Sequence, residues 1–449
     1  MRLLVVTPEY PPHSGGGILK YYALMTAAWQ AAGARVSVLV TSPYFEVDDH
    51  TLRDGIAVYG IRAAEIERYA SRLTHLATAP IFRRWIAAGL AATDWIRDRR
   101  DDFDVMETTD FGLLFAPIVS MTDRPPLMVK LHGSLGQISR HEPLTSSTEL
   151  DYALARLTES TLLPSAEELQ ALSPSNALEW SARLGREVEA IPPPLPVFKA
   201  GTLVKSADTR YSAIVAGRIQ SWKGPDLLCE AFRVLGSRAP ADLMVGWAGR
   251  DTASAPDGRS MSAWLTTHYP DIWGHRIVAL GELPPADVQQ LQRGARFVLV
   301  PSKWDTFNYA LAESMGLGCL TLGSTGAGAS YLIDHGVNGL RFAGTDAPLL
   351  AEQMMTAHEA PASWRQELGA AARETVVREL NPALIAERSL ASLSRVSSVR
   401  PISGPGPWLR EFFEPETSRV IDNGHLENVS IRELADHLKQ RVTRKVLGS

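Results

Sequence analysis

The chain has 449 residues, of which 45% are hydrophobic and 21% charged, with a formal net charge of −5. That length is more than one hydrophobic core usually serves and predicts two or three domains. The acidic balance argues against a nucleic-acid-binding protein, and no apolar run approaches the roughly 18 residues a membrane-spanning helix needs.

Taken in order, Arg2 to Thr7 reads as a fully buried strand, too short an apolar run for a signal peptide. Pro8, Pro11 and Pro12 end it, and the loop His13-Ser14-Gly15-Gly16-Gly17 follows. A helical pattern runs from Ile18 to Ala32 and stops at Gly33, and Val36 to Val40 is the next strand. Strand, glycine loop, helix and strand make a βαβ unit, whose ligand crevice lies at the C-terminal ends of its strands. The glycines let backbone approach a ligand or simply make a tight turn; they lack the spacing of a dinucleotide site. Ile81 to Ile96 reads as an amphipathic helix in a basic neighbourhood with Arg62, Arg68, Arg72 and His75. A solvated face is the expected use of that helix, with a membrane surface or an acidic acceptor as the alternative. The acidic pairs Asp48-Asp49 and Asp101-Asp102 read as solvated surface. Asp104 to Glu107 and Leu127 to Leu131 read as further strands, the second ending at His132-Gly133-Ser134. A lone histidine there serves structure as readily as function.

Ile191-Pro192-Pro193-Pro194-Leu195-Pro196 cannot continue a helix or a central strand and reads as a stiff boundary. The alternation then restarts with strand Tyr211 to Ala216, a turn over Gly217 to Gly224, helix Pro225 to Leu235 and strand Leu243 to Trp247. Strand Ile277 to Leu280 and helix Pro285 to Arg293 lead to the stretch that carries the argument, Phe297 to Gly318. There the strand Phe297 to Val300 is closed by Pro301-Ser302, a polar loop holds Asp305, and a helix opens near Tyr309 with Glu313 inside it. A helix N-terminus after a strand offers orphan N–H groups and a favourable dipole to an anion. Strand Leu320 to Leu322, a small-residue loop and a short helix to His335 follow, then a helix from Asn381 to about Val396. Cys229 and Cys319 lack metal-ligand spacing and fit buried thiols in a reducing cytoplasm. After a Ser/Pro/Gly linker from Ser398 to Gly406, Ser430-Ile431-Arg432-Glu433 opens a tail helix with Ile431, Leu434, Leu438 and Val442 on one side. Packing back on the body is its expected use; its basic end, Lys439 to Lys445, leaves partner or membrane contact open. The expected division is 1–195, 196–380, a helix over 381–397 returning toward the first domain, and a linker and tail over 398–449.

Gly217-Arg218 follows one strand and Lys223-Gly224 precedes the next helix. Two cations at such turns suit a diphosphate, arginine by bidentate hydrogen bonds and lysine as a point charge, although each alone is equally a surface cation. Joined to the acid-flanked helix start and a facing glycine loop, they describe a ligand with a diphosphate and hydroxyl-rich ends.

Gly217-Arg218, Lys223-Gly224, the stretch Pro301-Ser302-Lys303-Trp304-Asp305-Thr306-Phe307, Glu313 and Gly336-Val337-Asn338-Gly339-Leu340 together resemble the family-4 retaining glycosyltransferases. The resemblance covers roughly residues 1 to 395 and is strongest from 211 to 342. It implies an α/β, GT-B fold: two Rossmann-like domains facing across a cleft, with a C-terminal helical extension. It also implies transfer of a hexose-type sugar from a nucleoside-diphosphate sugar to an acceptor hydroxyl. By it, Gly15, Gly16 and Gly17 match the glycine loop, and Arg218 and Lys223 grip the donor diphosphate. Glu313 matches the acid that holds the donor ribose, Asp305 the acid that faces the sugar, and His132 the histidine beside that sugar. Phe307, Asn308 and Tyr309 fall at the donor loop and helix start, and Gly281, within Leu280-Gly281-Glu282, at the nucleobase pocket. No cofactor and no required metal are implied; the cations and helix amides take the metal's place. The expected setting is cytoplasmic, with peripheral contact to the inner membrane face left open. Three departures stand out: Asp305 replaces a glutamate, Asn308 a glycine, where it is expected to crowd the diphosphate loop, and Tyr331 a frequent glutamate. A nucleotide-sugar 2-epimerase and a non-catalytic binding or scaffold protein are the competing readings.

Overall fold

A computed structural model describes residues 1–401 except 14, 45, 47, 49, 122, 143–147 and 199–209. Beyond 401 it describes 413, 430–432, 434–436, 438, 439 and 442. Residues 402–406 of the linker over Ser398 to Gly406, most of the tail and the Glu433 end of its capping box therefore lie outside the described residues.

Eight strands form the first sheet: β1 (Arg2–Thr7), β2 (Arg35–Val40), β3 (His50–Arg53), β4 (Ile56–Gly60), β5 (Val105–Thr109), β6 (Leu127–Leu131), β7 (Glu168–Ala171) and β8 (Glu189–Ala190). They lie in the order β3-β4-β2-β1-β5-β6-β7-β8, and every pairing is parallel except β3 with β4. The central strands are continuous apolar runs because helices cover both faces. One face packs Leu4, Val6, Met106 and Val129 against the helix Pro80–Arg97, and the other packs Leu3, Val5 and Val105 against the helix Gly17–Ala31. The basic helix expected to be solvated is thus mostly core: Phe82, Trp85, Ile86, Leu90 and Ile96 are buried, while Arg84 remains outside over the Tyr44 ring.

Six strands form the second sheet: β9 (Ala213–Ala216), β10 (Val245–Ala248), β11 (Ile277–Gly281), β12 (Phe297–Val300), β13 (Thr321–Ser324) and β14 (Leu340–Phe342). They are parallel throughout, in the order β11-β10-β9-β12-β13-β14. The order reverses direction between β9 and β12, and such a switch point opens a crevice at the strands' C-terminal ends. The turns after β9 and β12 carry the residues singled out in the sequence.

The proline run between the sheets is not a solvated hinge. Ile191 and Leu195 are buried, and the Leu195 amide donates to the Leu380 carbonyl at 2.9 Å. The helix Pro382–Ser397 packs on the first sheet's helix Gly17–Ala31, where Trp29 Nε1 donates to Ser389 Oγ at 3.1 Å. The tail differs from expectation. Its described residues between 431 and 442 are helical, yet Ile431, Leu438 and Val442 are 86%, 61% and 59% exposed, so these apolar side chains do not pack on the body. Among the described residues no helix is long and apolar enough to cross a membrane.

Candidate functional site between the two sheets

Three turns and one strand end build the site. The first turn follows β1, where Glu9 Oε2 accepts the Gly16 amide at 3.1 Å. A Cβ on Gly15 would lie 2.5 Å from that oxygen, so a larger residue there would displace the Glu9 carboxylate. Gly16 faces open space, and a Cβ on Gly17 would lie 3.7 Å from the Tyr309 ring of the other sheet's helix. The glycine loop therefore lies against the helix start of the opposite domain.

The second turn follows β9. Gly217 (φ 145°) and Gly224 (φ 77°) adopt conformations that suit glycine, and a Cβ on Gly224 would come 2.0 Å from the Pro301 carbonyl oxygen. Between them Arg218 is exposed and makes no hydrogen bond or ion pair among the described residues. The carboxylates whose fields reach it are Asp305, Glu142 and Glu9. Lys223 is instead ion-paired with Asp305.

The third turn joins β12 to the helix Tyr309–Gly316. Asn308 caps that helix with φ 76°, a left-handed conformation asparagine tolerates better than most residues. Its Oδ1 accepts the Leu311 amide at 3.1 Å and its Nδ2 donates to Ser302 Oγ at 3.0 Å. The side chain is turned into the protein and is 6% exposed, so it does not crowd the loop as the sequence suggested. The Phe307 ring is 1% exposed in the apolar core and is not presented to a ligand. The amides of Tyr309 and Ala310 stand at the open helix end, ahead of the first intrahelical bonds. Glu313, on the same helix, is ion-paired with Lys20 of the opposite domain.

The strand end is that of β6. The His132 amide donates to Asp110 Oδ1 at 2.7 Å, and its carbonyl accepts Thr306 Oγ1 at 3.0 Å from across the cleft. Its ring packs edge-on to Tyr21, with centroids 4.7 Å apart, and Nε2 is buried without a partner. Burial, and then the neighbouring Lys130 charge, hold its pKa well below the usual histidine value, so the imidazole is neutral. Gly281, at the end of β11, has φ 74° and open space where a Cβ would stand.

Several residues were not singled out in the sequence. Lys20 carries no local signal, because its partner is 293 residues away. Glu107 and Lys130 did leave one, as charged residues inside strands that read as buried. Strand register sets Glu107 opposite Met128, two residues before Lys130, so both side chains share one face. Burial pushes the Glu107 carboxyl up to about 7, opposed by Lys130, and pulls the Lys130 ammonium down to about 7, opposed by Glu107. Asp110, also pushed up to about 7 by burial, fixes the His132-Gly133 backbone. Ser173 Oγ donates to the Thr306 carbonyl at 2.7 Å, and His141 stacks on Trp304 with centroids 4.2 Å apart, so further contacts span the cleft. Tyr331, 37% exposed, makes no hydrogen bond to any of these groups; burial raises its pKa, with Glu379 adding to the rise and Arg388 opposing it. Among the described residues no three His, Cys, Asp or Glu side chains cluster as metal ligands.

The arrangement offers an anion one arginine without a partner among the described residues, one lysine ion-paired with Asp305 and an open helix end, beside two carboxylates and a neutral histidine suited to hydroxyl groups. Comparison with known proteins agrees with that chemistry. A family model described as Glycosyl transferases group 1 matches residues 210–359, and one described as Glycosyl transferase 4-like domain matches residues 16–194. A D-inositol 3-phosphate glycosyltransferase of Nocardiopsis dassonvillei is 24% identical over 358 residues, 77% of this chain and 76% of that protein. An uncharacterised glycosyltransferase of Bacillus subtilis is 26% identical over 204 residues, 45% of this chain and 53% of its own length. Among solved structures, sucrose-phosphate synthase from Thermosynechococcus elongatus superposes with a TM-score of 0.67 at 17% identity, covering 88% of this chain and 98% of that one. Anabaena HepE in complex with UDP and glucose gives 0.62 at 17% identity, covering 88% and 100%. The whole second sheet, and every strand of the first except β1, fall within the segments the two family models match, and this protein belongs to the family-4 glycosyltransferases of the GT-B fold.

Proposed function

We propose that the protein transfers a hexose-type sugar from a nucleoside-diphosphate sugar to an acceptor hydroxyl, with retention of configuration and without a required metal. The observation that carries this reading is Arg218: an exposed guanidinium without a partner among the described residues, on a glycine turn at the switch point of the second sheet. A cation left unsatisfied beside an open helix end suits a diphosphate. The solved structure of Anabaena HepE holds UDP and glucose, and a Burkholderia xenovorans trehalose-phosphate synthase holds glucose-6-phosphate, ligands of the kinds this site would take.

In the proposed reaction the bond from the anomeric carbon to the phosphate oxygen breaks, and its electron pair stays on the diphosphate. Arg218, Lys223 and the Tyr309 and Ala310 amides stabilise that charge, the electrostatic contribution that is usually largest in catalysis. The acceptor oxygen bonds the anomeric carbon on the face the diphosphate left, and its proton passes to the leaving phosphate oxygen. Neutral His132 orients a sugar hydroxyl, and Asp305, once Lys223 turns to the phosphate, takes another. Glu313 holds the ribose, and backbone around Gly281 borders the base. A glycan, glycolipid or small natural-product hydroxyl suits the acceptor role.

The test is calorimetry and thermal shift against UDP, GDP, ADP and their sugar conjugates, with and without EDTA. Selective binding of one nucleoside diphosphate, unchanged by EDTA and abolished in Arg218→Ala, supports the reading. Binding of none overturns it and favours a scaffold role. Conversion of the donor without any acceptor would favour a 2-epimerase instead.

A further inference from the structure

Lys20 lies in the second turn of the helix Gly17–Ala31, which belongs to the first sheet, yet its ammonium group is in the second domain's territory. It pairs with Glu313 and stands 5.0 Å from the centroid of the Tyr309 ring. Tyr309 and Glu313 are four residues apart and share one face of their helix. Lys20 thus sits along the first turn of the helix whose open end is assigned to the diphosphate, directly on the carboxylate assigned to the ribose.

The pair is poorly explained as a stabilising bridge. The two side chains are 35% and 24% exposed, and ion pairs this open contribute little to stability. Burial draws the Lys20 ammonium down to about 8, so Lys20 is charged at neutral pH at some desolvation cost. The arrangement also leaves one Glu313 oxygen committed to lysine when both are needed for a ribose diol. The same pattern recurs beside it, where Lys223 occupies Asp305. Both carboxylates assigned to the donor are neutralised by lysines, and a diphosphate is the ligand able to draw the lysines away. A lysine has three donors and needs only a rotation about its flexible stem to pass from carboxylate to phosphate.

We propose that Lys20 is a donor-site residue contributed by the first domain, which shifts from Glu313 to the phosphates when a nucleoside diphosphate binds. Building on the donor site proposed above, this gives the first domain a side-chain contact of its own to the donor phosphates. Glu313 is freed for the ribose as its lysine turns to the phosphate, and the glycine loop, whose Gly17 already lies against Tyr309, follows Lys20.

The test is calorimetry on the full chain with the nucleoside diphosphate, among UDP, GDP and ADP, that the wild type binds, together with the corresponding free nucleoside. Lys20→Met is expected to weaken the diphosphate roughly 10- to 100-fold, the range of one charge-assisted hydrogen bond to a phosphate, and to leave the nucleoside within about threefold. Lys20→Arg is expected to recover most of the loss. Adding Lys20→Met to Glu313→Gln should weaken diphosphate binding further, because the phosphate contact is separate from the carboxylate. An unchanged diphosphate affinity in Lys20→Met, an equal loss for nucleoside and diphosphate, or no added loss in the double variant would each overturn the proposal. Lys20→Gln replaces Lys20→Met if the latter melts early. A wild type that binds none of the three diphosphates would instead refute the donor site itself.

Discussion

Asn308 gives the sharpest test of how this site is built. Replacing it with alanine removes the helix cap to Leu311, worth about 1 kcal/mol, and forces a Cβ-bearing residue without a polar side chain to keep φ at 76°, worth about 1–2 kcal/mol. It also strips the 1%-exposed Ser302 hydroxyl of its bond to Nδ2, worth about 1 kcal/mol. The total is roughly 3–4 kcal/mol. Asn308→Gly loses the Ser302 bond but only a few tenths for the cap, and glycine accepts the positive φ, for a total of roughly 1–2 kcal/mol. The two variants should therefore separate by about 2 kcal/mol, or several degrees in melting temperature, with alanine the worse. Because the side chain points inward, Asn308→Gly should leave affinity for a nucleoside diphosphate within about twofold. Differential scanning fluorimetry and calorimetry on the same preparations give both readings. Alanine matching glycine in stability would refute the left-handed cap, and a tenfold gain in affinity for Asn308→Gly would show that asparagine obstructs the phosphate loop after all.

Removing Arg218 or Lys223 should lower turnover roughly 100- to 1,000-fold each, the scale of one lost oxyanion donor; steady-state rates near normal in both variants would overturn their assignment. Gly224→Ala would drive a Cβ to 2.0 Å from the Pro301 carbonyl oxygen at a positive φ, and should cost about 3 kcal/mol or more in urea unfolding; an unchanged midpoint would show that the turn moves freely. Burial pushes the Glu159 carboxyl up to about 8, opposed by the Gly136 amide and Ser134. The folded chain then keeps a proton that the unfolded chain releases, so this group's contribution falls as pH rises from about 4.5 to 8. Glu159→Gln should flatten that decline by on the order of 4 kcal/mol between pH 5 and 9, and parallel stability profiles for variant and wild type would refute it.

The layout of both sheets was legible because buried parallel strands are short apolar runs punctuated by proline and glycine. Strand β1, the helix after it and the whole β12 segment read directly. What local pattern missed was decided by neighbours. The hairpin over His50 to Gly60 is the exception: Asp54-Gly55, with φ of 49° and 81°, is a two-residue turn legible in the sequence, and it was passed over because β3 is entirely exposed and has no apolar side to show. The helix Pro80–Arg97 was misread because its arginines draw attention to one side, whereas Trp85, Ile86 and Leu90 pack under the sheet. The tail misled in the opposite sense: a capping signal and an apolar stripe are local facts, and whether a body surface waits for that stripe is not.

The site shows the same division more sharply. Arg218, Lys223, Asp305 and Glu313 were legible as types, since turns between parallel strands and helices lead to a ligand crevice. Their pairings were not. Lys223 and Asp305 were given to different parts of the donor, yet they lie on neighbouring turns of the switch point and pair directly, both side chains largely buried. Lys20 was invisible because its meaning depends on a helix 293 residues away brought across the cleft. Of the four legible residues, only Arg218 keeps its charge unmatched by direct contact with a described residue, and that difference is physical. In the proposed reaction the lysines hold the carboxylates until the donor binds, and the free guanidinium is the one fixed charge that would draw the diphosphate in before either lysine lets go.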